Sequence, residues 1–87
     1  MNSGYNLHFD PQAKKFLENI NDKKTKQRLF DLIEKIKLNP LLGIKLKGSL
    51  SSCYRVRCSN YRIIYKFYAP KKILAILMID DRKQIYR

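Results

Sequence analysis

The sequence predicts an α+β domain in which a helical hairpin near the N-terminus packs on an antiparallel-rich, twisted sheet, in the order β-α-α-β-β-β. Three observations lead there. One short alternating stretch precedes two stretches of helical apolar period, and three strand-rich stretches with turn signals between them follow. The 87 residues contain no repeat, linker or low-complexity tract, so residues 1–87 are expected to form a single domain built as one layer of helices on one layer of sheet. At this length folding buries only about 60–65% of the extended chain's surface, and nearly every apolar face must be used.

Tyr5-Asn-Leu-His-Phe9 alternates apolar and polar residues, which reads as a strand with Tyr5, Leu7 and Phe9 turned inward. Asp10-Pro11 stops it and starts a helix, since the aspartate can accept orphan N–H groups and proline tolerates the first helical position. Ala13, Phe16, Leu17 and Ile20 follow at helical spacing. Asn21-Asp22 breaks and caps, Leu29, Leu32, Ile33 and Ile36 form a second stripe, and Asn39-Pro40 ends it. The stretch from Leu41 to Ser52, with Gly43, Gly48 and three serines, reads as a loop that exposes Lys45 and Lys47 while Leu46 tucks under. Tyr54 to Cys58 and Tyr61 to Phe67 are predicted strands joined by Ser59-Asn60, and Ala69 to Lys72 turns the chain into a third, Ile73 to Ile79. The unbroken apolar run of that last strand predicts cover on both of its faces. Gln84 to Arg87 has the character of a short terminal strand.

The net charge is +12, a field that draws in nucleic acid, an anionic membrane or an acidic protein. A membrane is the weakest of these, because the longest apolar run, Ile73 to Ile79, falls far below the roughly 20 residues needed to span a bilayer. Met1 to Tyr5 has no signal-like apolar region either, so a cytoplasmic protein is expected. Cys53 and Cys58, five apart on one extended strand, would lie roughly 17 Å apart, beyond disulfide reach. With His8 as the lone histidine they lack a metal-ligand set, and no metal or cofactor is expected.

Between Glu34 and Asp80 there is no acidic residue, while Lys35, Lys37, Lys45, Lys47, Arg55, Arg57, Arg62, Lys66, Lys71 and Lys72 all fall there. With Ser59 and Asn60 as the turn, Cys58 faces Tyr61, Arg57 faces Arg62, Val56 faces Ile63, Arg55 faces Ile64 and Tyr54 faces Tyr65. One face then holds Tyr54, Val56, Cys58, Tyr61, Ile63 and Tyr65 for packing on the helices. The other holds Arg55, Arg57, Arg62 and Lys66. Arg57 opposite Arg62 destabilises the pair by under about 1 kcal/mol, and with no acid nearby in sequence a bound phosphate is the expected relief. Arg82 lies just past the last strand, and Tyr86, whose phenolate neighbouring guanidinium groups would stabilise, follows four residues later. Cations to hold phosphorane charge and a group to take the 2′-OH proton are what metal-independent cleavage of an RNA backbone requires.

Leu46-Lys-Gly48, Tyr54-Arg-Val-Arg57, Asn60-Tyr-Arg-Ile-Ile-Tyr65 and Asp81-Arg-Lys-Gln-Ile-Tyr86 together resemble the RelE/ParE superfamily of type II toxins, in its RelE-like branch. The resemblance spans essentially the whole chain. It implies a RelE-like fold and a ribosome-dependent endoribonuclease that cuts mRNA in the A site by attack of the 2′-OH. It also implies a cognate, RelB-like antitoxin that holds the toxin inactive in a heteromeric complex. Residue by residue it places Arg55 and Arg57 at two basic strand positions, Arg62 at the phosphate-holding arginine, Arg82 at a second arginine and Tyr86 at the terminal tyrosine. Lys23, Lys24, Lys26, Lys45 and Lys47 are expected to meet ribosomal RNA, with Lys66 on the RNA-binding face.

The sequence departs from the family pattern in two places. Arginine stands at Arg55 and Arg57, where lysine is frequent, and a guanidinium stays protonated, so the base role falls on Tyr86. Asp80-Asp81 stands where a glycine and a basic residue are common. It removes positive charge from the RNA path, and is read as a carboxylate pair closing a turn, with orientation of Arg82 or a base role as alternatives. Two other classes remain in play: a ParE-like toxin that binds DNA gyrase, and a non-catalytic RNA-binding module.

Overall fold

The computed structural model describes residues 4–48 and 52–81. Leu7 and Phe9 of the first strand, β1 (Asn6–Phe9), turn to the core. Pro11 then opens helix α1 (Pro11–Asn19), which buries Ala13 and Leu17. Asp10 stands at the cap, but its carboxylate makes no capping hydrogen bond, contrary to the expected role. Its main chain is committed on both sides instead: the N–H donates to the Ile76 carbonyl at 3.0 Å and the carbonyl accepts from the Lys14 N–H at 3.0 Å.

Asp22 is a working cap for helix α2 (Lys23–Leu38). It accepts the Lys24 N–H at 3.2 Å and the Thr25 hydroxyl at 2.6 Å. The Thr25 hydrogen bond, above all, holds its carboxyl below the ordinary range. The cap is therefore complete above the usual carboxylate pKa and is lost as pH falls through the depressed folded value. Leu29, Ile33 and Ile36 are the buried stripe of α2. Asn39 ends the helix by donating its N–H to the Lys35 and Ile36 carbonyls, and its side chain accepts from Leu41 N at the start of a 3-10 turn, Pro40–Leu42.

The segment expected to be pure loop contains a two-residue strand, β2 (Ile44–Lys45), which pairs antiparallel with β3 (Tyr54–Cys58). Strands β4 (Tyr61–Tyr68) and β5 (Ile73–Asp81) complete a five-stranded sheet in the order β1-β5-β4-β3-β2. Among the described strands only the β1–β5 pair is parallel: the helical hairpin carries the chain from β1 to β2 at the opposite edge, and the antiparallel run β2-β3-β4-β5 returns it to lie beside β1. The β3–β4 register is the one read from the sequence, from Tyr54 opposite Tyr65 to Cys58 opposite Tyr61. Ser59 makes that turn with φ +59°, in the left-handed region.

Both helices lie on one side of the sheet, with α1 against β5 and α2 reaching β3. Ile63 and Tyr65 of β4 and Leu74, Ile76 and Ile79 of β5 are fully buried beneath them. No described helix covers the other side, so the expectation that β5 is covered on both faces is wrong: its outward Met78 is 41% exposed. Two helices suffice for one face only. Asp80 and Asp81 also lie inside β5 rather than in a turn.

Tyr65 ties the α2–β3 connection to the core. Its hydroxyl donates to the Pro40 carbonyl at 2.7 Å and accepts the Gly43 N–H at 2.9 Å. Burial pushes the phenol's pKa up. Its contribution to stability is therefore intact below the ordinary tyrosine pKa and is lost as pH rises toward the raised one. Cys53, buried, and Cys58 are both free thiols.

Candidate nucleic-acid interface

Because side chains alternate along each strand, the register fixes what shares the uncovered face. Arg57, Arg62 and Asp80 form one cross-strand row. Arg55, Ile64 and Met78 form the next, and Lys66 lies beside Ala75, which in turn pairs with His8 of β1. With strands about 4.8 Å apart, a three-residue row spans roughly 10 Å. All four basic residues assigned to this face from the sequence are on it.

The relief of Arg57 against Arg62 differs from expectation. It comes from Asp80, which faces Arg62 from the opposite strand. Arg62 Nε donates to Oδ1 and Nη2 to Oδ2, each at 3.3 Å. Asp80 was invisible as a neighbour because it is 18 residues away in sequence. Its backbone setting has a second support that the sequence did not signal. β1 stops pairing with β5 at Ile76, and the Gln12 side chain takes over at Ile79, donating Nε2–H to the carbonyl at 3.0 Å and accepting the N–H through Oε1 at 3.1 Å. The first turn of α1 thus steadies the strand one residue before Asp80.

Lys45 and Lys47 are exposed, as expected, beside the start of β3. Lys23 and Lys24 are also exposed, but at the opposite end of α2, whose 16 residues span about 24 Å. Lys26 was expected to be exposed with them and is instead half-buried, in a groove with Lys14, Glu18 and Phe30. The expected lysine set is therefore split between separate places.

Two basic residues not assigned to the site from the sequence stand near the hairpin. Lys35 borders a groove of about 560 Å³ with Ile44, Arg55 and Arg57, beyond the point where β2 ends. Arg28 borders an adjoining groove with Asp31, Lys35 and Arg57. Arg28, Leu32 and Lys35 follow at i, i+4 and i+7, a spacing that puts them on one helix face and was the available signal. Arg82, Tyr86 and the expected terminal strand at Gln84 to Arg87 lie outside the described residues.

An arginine-rich sheet face that no described helix covers, with two helices packed behind it, defines a small α+β domain. The family model for the ParE toxin of type II toxin-antitoxin systems, parDE, matches residues 7–86. The chain belongs to that family, and it is a toxin of the RelE/ParE superfamily with a RelE-like fold. The toxin-antitoxin complex RelBE2 from Mycobacterium tuberculosis contains a similar chain, with TM-score 0.80 and 21% identity over 91% of this chain and 99% of that one. The isolated E. coli RelE toxin gives 0.78 and 23%, over 94% and 90%. The archaeal RelE-RelB complex from Pyrococcus horikoshii OT3 gives 0.76 and 26%, over 91% and 96%. At 21% and 23% identity the likeness is one of fold alone. Comparison with curated protein sequences returns no match.

Proposed function

We propose that this toxin is a ribosome-dependent endoribonuclease that cleaves mRNA in the A site. The observation that carries the reading is the clustering of Arg55, Arg57, Arg62 and Lys66 on the sheet face that no described helix covers. In the proposed reaction the substrate 2′-OH loses its proton to the Tyr86 phenolate and its oxygen attacks the adjacent phosphorus. The 5′-oxygen leaves, taking a proton from water, and a 2′,3′-cyclic phosphate remains. Arg62, with Arg55, Arg57 and Arg82, offsets the charge gathering on the phosphorane oxygens. Asp80 is engaged by Arg62 and guanidinium groups stay protonated, so we assign the base role to Tyr86, with Asp81 as the alternative. The partner we assign is a RelB-like antitoxin in a heteromeric complex, as in the M. tuberculosis and P. horikoshii complexes, and the place of action is the cytoplasm.

The family match favours a second reading, a ParE-like toxin that acts by binding DNA gyrase. A translation-arrest gel separates the two. Message cut only when ribosomes are present supports the nuclease; intact message together with inhibited gyrase supports the alternative.

Lys45 and Lys47 are assigned to ribosomal RNA contact, away from the scissile bond. Replacing both with alanine is expected to weaken ribosome association and flatten its salt dependence, by a slope of roughly 0.7 to 0.9 per lost phosphate contact. Cleavage at saturating ribosomes should stay nearly unchanged. Unaltered affinity would remove these lysines from the footprint.

A further inference from the structure

We infer that Asp80 is the resident counter-anion of Arg62, occupying the guanidinium edge that an RNA phosphodiester takes on binding, so that substrate capture is an exchange of one anion for another. This rests on the RNA-binding reading above. Arg62 presents Nε and Nη2 side by side to the two carboxylate oxygens. That is the parallel two-bond pattern by which guanidinium groups also hold phosphates. The 3.3 Å contacts are longer than the 2.7–2.9 Å of a tight charge-assisted bond. The side chains of Arg62 and Asp80 are 26% and 22% exposed, so the pair is half-buried but keeps an edge in contact with solvent, from which an anion can approach.

Asp80 serves the free protein and opposes the bound one. Without it, Arg57 and Arg62 face each other across the hairpin and repel. With it, an arriving phosphate meets a guanidinium whose charge is already balanced. Asp80 therefore sets how much anion binding is needed before the site opens, and acts as a positioning residue rather than a catalytic one.

The test uses the Asp80→Asn protein, which keeps the shape and one acceptor oxygen while deleting the charge. Its affinity for a short fluorescein-labelled oligouridine, without ribosomes, should rise roughly three- to tenfold, with a salt slope steeper by about 0.7. Its melting temperature should fall slightly. Glu18→Gln, the same charge change at an exposed position on α1, serves as the control and should leave the slope unchanged. Equal affinity and slope in Asp80→Asn and wild type would overturn the inference, as would a gain matched by Glu18→Gln. If neither protein bound oligouridine without ribosomes, the translation-arrest gel would still decide the RNA reading, and pyrophosphate would decide for Asp80. The NMR signal of the wild-type Arg62 Nε–H should shift as pyrophosphate displaces the carboxylate. A signal that stays fixed while other basic residues respond would mean that Asp80 holds Arg62 permanently. The same titration decides the matter should Asp80→Asn fail to fold.

Discussion

Single-turnover cleavage on programmed ribosomes is expected to fall by about 10²-fold or more in Arg62→Ala and in Tyr86→Phe, with ribosome binding retained. The two substitutions act on different atoms of one step. Arg62→Ala removes positive charge from the forming phosphorane and leaves Asp80 facing it, adding repulsion where attraction was needed. Tyr86→Phe keeps the ring and deletes only the ionisable oxygen. Arg62→Ala should leave the fold standing, because the pair is only partly buried and lies on the sheet face that no described helix covers, outside the hydrophobic core. Melting curves measured beside the kinetics check that. A fully active Tyr86→Phe would move the base role to Asp80, Asp81 or the RNA itself. A Tyr86→Phe protein inactive only because it had unfolded would return Tyr86 to the core.

The largest loss of stability is expected at Tyr65 and Gly43. Tyr65→Phe removes two hydrogen bonds at once and leaves the Pro40 carbonyl and the Gly43 N–H without their partner. Orphaning part-buried polar groups costs about 1–3 kcal/mol each, and allowing for partial relaxation about 2–3 kcal/mol is expected in all. Gly43→Ala attacks the same contact by volume: a Cβ there would stand 2.8 Å from both the Arg55 carbonyl oxygen and the Tyr65 hydroxyl oxygen. Backbone cannot yield cheaply, so β2 must move off β3. For a domain of this size, urea and thermal melts should show a drop of about 4–8 °C per kcal/mol. A Tyr65→Phe protein with unchanged stability would mean that water or a shifted loop replaces both hydrogen bonds.

Much of this molecule was legible in its sequence because its cues are local. The period of apolar residues marks both helices, and a two-residue turn at Ser59-Asn60 fixes the hairpin register, since a slip of one would exchange Val56 and Ile63 with the arginines. Tyr65 was placed on the inward face by that same alternation. Its hydrogen bonds to Pro40 and Gly43, 25 and 22 residues away, carried no sequence signal.

The partner of Arg62 is the clearest case of what sequence could not give. Counting back from Tyr68 opposite Ile73 without interruption would set Ile79 opposite Arg62 and Asp80 opposite Tyr61. The register shifts between Ile64 and Tyr65, so that Ile64 pairs with Met78 while Tyr65 pairs with Ile76, and Leu77 is the extra residue. That single bulge turns Ile79 into the core, turns Asp80 onto the outer face and brings it to Arg62. The sequence by itself determined both helices, the strands β1 and β3 to β5, the hairpin and the basic face, though not the short β2, because alternation and turn chemistry act over a few residues. Only the tertiary structure decided which acid meets which arginine, because burying an isoleucine under the helices rather than a carboxylate selects the bulged register, and that choice exists only once the helices are packed on the sheet.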